Sequence, residues 1–357
     1  MQEFCFSVVL WGQPFVDLFT RYVLPSHLAP DNIPALTLNG RSHYLIVTTA
    51  ADMERMDATP AIRRLKEYMP VKFVLASFGD TDIRSDLKYR WMTEANRYVL
   101  DYARERDAGV WFLTPDTLLA NGALRRVERG VLAGRRAVVV TGLMADQIGF
   151  LPDLHALLDR DGGGADLDGG TLAIAPRPLM SLWSRHPHHI VDAYFHDSTR
   201  FNHFPSFIFW RLGGEGLLAR CFHLHPIFIH PDTWEGIDGS RTIDQTYVAH
   251  AVRDPGDVDV PTDSDEFLLI EIAPPEKRYP VYDRSFAVPR RIGAWAARET
   301  ELLNWIFFRQ KLWFHTGIDR TRFADVEQMS DRFVDEVLRN AAMARAAAQP
   351  RPAPAPC

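Results

Sequence analysis

The chain predicts an α/β protein: a mainly parallel, mixed sheet covered by helices, followed by a helical C-terminal region. Three observations carry this expectation. Over the first 145 residues short apolar runs alternate with helical patterns, which marks strands joined by helical crossovers and therefore parallel pairing. The apolar share is 46% in 357 residues, enough for a large core. The run Gly109-Val-Trp-Phe-Leu-Thr-Pro-Asp116 delivers a carboxylate to the end of a buried strand, where open α/β sheets hold their ligands.

Phe4 to Leu10 reads as the first strand, broken by Trp11-Gly12-Gln13-Pro14; Phe15 to Leu24 has helical spacing that ends at Pro25. His43 to Thr48 is the second strand. Thr59-Pro60 reads as an N-cap with Pro at the first helical position, opening a helix to Tyr68. Val71 to Ser77 is the third strand. Trp91, Ala95, Tyr98 and Tyr102 recur at helical spacing, so Lys88 to Arg106 is an amphipathic helix. Strand Val110 to Leu113, helix Gly122 to Leu132 and strand Ala137 to Thr141 complete the pattern.

After Gly142 the pattern loosens. A helix at Leu151 to Leu158 leads into a glycine-rich acidic stretch, 159–170, read as a surface loop because no helix start follows it. Strands are expected at Leu172 to Ala175, Cys221 to Ile229 and Phe267 to Ile272. Helices are expected at Pro178 to Tyr194 (with a break at Pro187), Ile292 to Phe314 and Asp325 to Met343. The organisation is then an α/β half at 1–143, a second half of mixed strands and loops at 144–285, helices at 286–343, and an Ala/Pro-rich tail at 344–357 expected to be disordered.

Composition excludes several classes. A net charge of -6 with interspersed signs argues against a nucleic-acid binder. Cys5, Cys221 and Cys357 give neither a disulfide framework nor metal spacing, so a cytoplasmic setting is expected. The opening residues carry no basic leader, and no run reaches the ~18 apolar residues of a membrane span. Fingerprints for phosphate loops, dinucleotide sites and serine hydrolases are absent.

Asp116 has two readings: a turn aspartate after a strand, or a ligand for a divalent cation (Mg or Mn) bridging nucleotide phosphates. Asp80-Thr81-Asp82 follows the third strand and either caps the next helix or adds carboxylates at the same edge. His223 and His225, two apart in an expected strand, share a face and suit either a polar surface or a metal. Asp244 opens an expected helix through His250 after the turn-rich segment Trp234 to Arg241, as a cap or as a base. The stretch from Leu302 to Phe314 mixes aromatics with Arg309 and Lys311, which fits core or subunit packing and also a peripheral membrane contact.

The segment VWFLTPDTLLANGAL resembles the glycosyltransferases of the GT-A type, in which a strand ends in Asp-x-Asp and leads into a short turn. Here Thr114 stands at the first acidic position, so the motif is degenerate. The opening FSVVLWGQPFVDLF resembles the first strand and turn that contact the base, and the helix carrying Lys88, Asn96 and Arg97 resembles the one that approaches the nucleotide. The resemblance covers about the first 145 residues.

The resemblance implies a bacterial enzyme that takes a nucleotide sugar as donor and transfers the sugar to a hydroxyl of a glycan or lipid-linked acceptor, in polysaccharide assembly at the inner membrane. Residues 1–143 would bind the nucleotide sugar and 144–285 the acceptor. Trp11, Thr48, Ser77, Asp80, Lys88 and Asp116 would hold the donor, Asp116 and His225 a metal, and Asp244 or Glu215 would act as base. Two alternatives stay open: a non-catalytic binding or scaffold protein of the same fold, favoured by Thr114, and a sugar nucleotidyltransferase. The latter usually has a glycine-rich, basic first loop, where this chain has Trp11-Gly12-Gln13-Pro14.

Overall fold

The computed structural model describes residues 3–77, 87–160, 165–166, 170–202, 205–230, 247–283 and 288–348. The first half alternates as expected. Strand β1 (Glu3–Val9) is followed by α1 (Gln13–Leu18), a π-helical turn (Phe19–Val23) and α2 (Leu24–His27). The helical path therefore continues past Pro25, which sits at the start of α2, where its missing N–H costs little. Next come β2 (Ser42–Thr48), α3 (Ala50–Asp57), α4 (Pro60–Leu65) and β3 (Val71–Leu75). The Thr59 hydroxyl accepts from the Ile62 N–H, the cap the sequence announced.

Helix α5 (Leu87–Arg104) returns the chain to β4 (Ala108–Leu113), with the short β5 (Thr117–Leu119), α6 (Ala123–Leu132), β6 (Ala137–Val140), β7 (Leu143–Asp146) and α7 (Gln147–Arg160) behind it. Two short strands, β8 (Ala165–Asp166) and β9 (Thr171–Leu172), precede α8 (Pro176–Arg185) and a 3-10 turn (His189–Tyr194). Four strands follow: β10 (Arg200–Asn202), β11 (Phe207–Arg211), β12 (Gly216–Cys221) and β13 (His225–Ile229). The chain closes with α9 (Tyr247–Ala251), β14 (Val258–Asp259), β15 (Leu269–Ala273), β16 (Val281–Asp283), α10 (Pro289–Glu299), α11 (Leu302–Arg309), β17 (Leu312–His315) and α12 (Ala324–Ala348).

Seven strands form the main sheet in the order β14-β6-β13-β4-β1-β2-β3. Only β13 runs against the others. From β1 the chain steps outward to β2 and β3, then α5 carries it back to β4 on the other side of β1. The carboxyl ends of β1 and β4 are thus neighbours from which the chain departs in opposite directions. A three-stranded sheet, β5-β15-β7, stands at the carboxyl edge of the large one, because β5 and β7 follow β4 and β6 after only a few residues. A third sheet, β11-β12-β17, supports the C-terminal helices.

The boundary drawn at residue 143 does not divide the core. β13 and β14 complete the main sheet from the second half, and one apolar cluster reaches from Phe4 to Phe314. A second cluster joins Trp210, Phe222 and Phe308 to Val337 of α12. There α10 crosses α12 so closely that a Cβ on Gly293 would lie 2.7 Å from the Val337 carbonyl oxygen.

Two further expectations fail locally. The strand drawn from Cys221 to Ile229 is two strands in different sheets, so His223 and His225 do not share a face. His223 falls in the connection, where its Nδ1 meets the Ser206 hydroxyl at 3.0 Å. The helix drawn from Ile292 to Phe314 breaks at Thr300, because Glu301 and Asn304 form a reciprocal capping box that starts α11, and Trp313 and Phe314 then pair as strand. Helix α12 runs to Ala348, five residues into the supposed tail.

His27 supplies a stability prediction. It is fully buried, with Nδ1 3.2 Å from the Tyr44 hydroxyl, and burial pulls its pKa down to about 3. A folded-state value below that of the unfolded chain means stability is lost as pH falls from about 6.5 towards 3. His27→Leu is expected to flatten this acid loss by a few kcal/mol. Urea midpoints at pH 7 and pH 4.5 check it; an unchanged difference between the two would contradict the assignment.

Candidate functional site

The short connections at the carboxyl edge bring several expected site residues together. After β1, Gly12 adopts φ +85°, a conformation that favours glycine, and its N–H donates to Asp52 Oδ2 at 2.8 Å. Asp52 is buried and fixed in turn by the Thr49 hydroxyl at 2.9 Å and Arg55 at 3.1 Å, so the Trp11-Gly12 turn is held against α3. Trp11 is partly buried against the main core.

Thr48 ends β2 at the same edge, with its side chain fully buried. Ser77 follows β3 and is exposed. Lys88 lies in the first turn of α5, which starts at this edge because it returns the chain to the foot of β4.

After β4 comes the Pro-Asp turn. The hydroxyls of Thr114 and Thr117 are 2.6 Å apart and bond to each other. The Asp116 carbonyl accepts from the Ile272 N–H at 2.8 Å, which seats β15 directly beside the turn. Glu271 opposes Thr117 in the β15–β5 register. Its carboxylate ion-pairs with Lys277, whose ammonium also lies 5.6 Å from the Tyr279 ring centroid.

Among the described residues, the Asp116 turn therefore brings together the carboxylates of Asp116 and Glu271 and the Lys277 ammonium. Burial, and behind it the Glu271 charge, push the Asp116 carboxyl up to about 6, against the opposing pull of Lys277 and hydrogen bonds from its own N–H and Thr114. Burial disfavours the Lys277 ammonium, but Glu271, Tyr279 and Asp116 outweigh it and hold its pKa above the ordinary lysine value. Glu271 and Lys277 were absent from the sequence-level site. Their signal was present in Phe267-Leu-Leu-Ile-Glu271-Ile-Ala-Pro-Pro-Glu-Lys277, where an acid interrupts an apolar strand and a lysine follows in the next turn.

His225 opens β13 at the same edge, since the antiparallel register Phe228↔Trp111 runs back towards Thr114. Another expected residue lies apart from Asp116. Glu215 occupies the β11–β12 turn and pairs with Arg322 at 3.1 Å, in a sheet that lacks Asp116, so its carboxylate is committed elsewhere. Asp80 and Asp244 lie outside the described residues.

The donor set at Asp116 does not fit a divalent cation. Thr114 offers a hydroxyl that bonds Thr117 and no carboxylate, and Glu271 is neutralised by Lys277. A doubly charged ion beside Asp116 would be repelled by the Lys277 ammonium and would have to compete with it for Glu271. Among the described residues, three metal-type side chains gather at another place, Asp263, Asp265 and His315, with ligand atoms within 4.8 Å of one another. Arg320 pairs with Asp263 there and Arg177 with Asp265, so the carboxylates already have guanidinium partners that tie the turn after β17 and helix α8 to this segment.

A surface groove of about 620 Å³ lies between α11 and α12, lined by Leu302, Trp305, Ile306 and Arg339 among others. Its charged lining includes Arg309 and Asp335, which pair at 2.8 Å. No helix among the described residues is long and apolar enough to cross a membrane. Compared with known proteins, the chain matches no protein-family model and no curated sequence.

Proposed function

We propose that the chain is a transferase that moves a sugar from a nucleotide donor to a hydroxyl of a glycan or lipid-linked acceptor. One observation carries this reading: the Trp11-Gly12 turn and Asp116 occupy adjacent strand ends at the point where the sheet order reverses. Ligands of open α/β sheets bind outside the carboxyl ends of the strands at such a point. The resemblance of the opening strand to a base-contacting turn and of the fourth strand's end to a donor-gripping turn concerns these same two positions.

In this reading the base and ribose lie against Trp11 and the connection after β3, and the diphosphate lies towards β15. Transfer needs a group that takes the proton of the acceptor hydroxyl. Asp116 suits that role, because a carboxyl pushed up to about 6 is a stronger base than an ordinary aspartate yet still ionised at neutral pH.

Thermal-shift and hydrolysis screens with UDP-, GDP- and CDP-sugars, each with and without Mn²⁺, test the proposal. At least one nucleotide class is expected to raise the melting temperature by several degrees. No response to any of them overturns the assignment.

A further inference from the structure

Resting on that reading, we infer that Lys277, positioned by Glu271, is the cation that receives the donor's diphosphate in place of a divalent metal ion. Three features of the structure point this way. Lys277 is seated beside the Asp116 turn by β15, whose Ile272 N–H bonds the Asp116 carbonyl. Its ammonium is held by Glu271 on one side and lies near the Tyr279 ring on another, so its place is fixed before a ligand arrives. The side chain is not sealed into the core: 27% of its surface stays exposed.

The chemistry is that of a preorganised point charge. Lysine binds phosphate as a compact ammonium with three donors, and Glu271 occupies one of them. The neighbouring Arg278 adds positive charge at the rim, where its guanidinium meets His189 Nε2 at 2.9 Å. Placing the diphosphate on Lys277 also separates it from the Asp116 carboxylate, which is then left for a hydroxyl proton. Glu271 is a positioning residue here: it touches Lys277, and Lys277 touches the ligand.

Calorimetric titration of the full chain with UDP, GDP and CDP, each in EDTA and each in Mn²⁺, tests the inference. The nucleotide that binds is expected to do so equally under both conditions. Lys277→Ala is expected to weaken it by roughly 10- to 100-fold in EDTA, the range of a charge-assisted hydrogen bond. Lys277→Arg should keep most of the affinity.

In Lys277→Ala, Mn²⁺ should restore part of the loss, because two carboxylates then face a space without an ammonium; a merely structural lysine would show no such rescue. Glu271→Gln should weaken binding less than Lys277→Ala and provides a second variant if the latter fails to fold. Binding that requires Mn²⁺ in the parent overturns the inference and leaves the transferase reading standing. No binding under either condition overturns both.

Discussion

Asp116→Asn is expected to lower sugar transfer by at least about 100-fold while changing the affinity for the nucleoside diphosphate only a few-fold. The magnitude is that of a lost general base, which typically contributes roughly 10²–10⁴ in rate. The split follows from the geometry, because the amide keeps the size of the carboxylate and leaves Lys277 on Glu271.

The same substitution should not destabilise the fold. The Asp116 carboxyl is raised from 3.8 to about 6, so the folded state favours its neutral form. That preference is fully expressed below the unfolded value and is lost as pH rises through about 6. At pH 7 the ionised carboxyl therefore costs stability, on the order of 1–3 kcal/mol, and a neutral amide recovers part of it. Steady-state kinetics with denaturant unfolding at pH 7 check both halves. A variant with parental transfer, or one that loses stability and activity together, would refute a functional role for this carboxylate.

Arg220→Ala is expected to cost about 3–5 kcal/mol of stability and to loosen α12. Arg220 is 1% exposed and lies on β12. Its guanidinium donates to the Ser330 hydroxyl at 2.8 Å, to the Arg309 carbonyl at 2.6 Å, and to Asp331. One side chain thus joins the third sheet to both α11 and α12. Removal leaves a buried hydroxyl and a carbonyl without their donor and a cavity where the stem packed.

Lys311 also meets Asp331, at 3.0 Å, so the carboxylate itself keeps a partner and the loss stays within that range. Arg220→Met, which fills the volume, should cost roughly half as much. Urea unfolding together with amide exchange along residues 324–348 reads the effect. Unchanged exchange in α12 would show that the apolar cluster alone holds the helix in place.

The parts of the fold that follow from local pattern were legible in the chain. β1 to β4 and the helices between them are apolar runs closed by turns, and Thr59-Pro60 announces α4 without help from distant residues. Asp116 was legible for the same reason, as the first acid after a buried strand. β13 was not, because its antiparallel insertion between β4 and β6 pairs residues more than 80 positions apart, and nothing within Pro226-Ile-Phe-Ile229 tells which neighbours it will have.

The break at Glu301 was missed because apolar spacing runs through it; a two-residue capping exchange overrode the period. The ammonium of the site was hidden by distance in sequence. Glu271 and Lys277 reach Asp116 only because β15 pairs with both β5 and β7, a long-range consequence of the Pro-Asp turn and of the Thr141-Gly142 turn.

A crystal structure of the full chain with the nucleoside diphosphate that binds most tightly is the decisive measurement. The diphosphate is expected at the carboxyl edge between the Trp11-Gly12 turn and β15, with its oxygens on Lys277 and the base towards Trp11. A nucleotide bound elsewhere, such as the groove between α11 and α12, with the Asp116 turn left untouched, would contradict it.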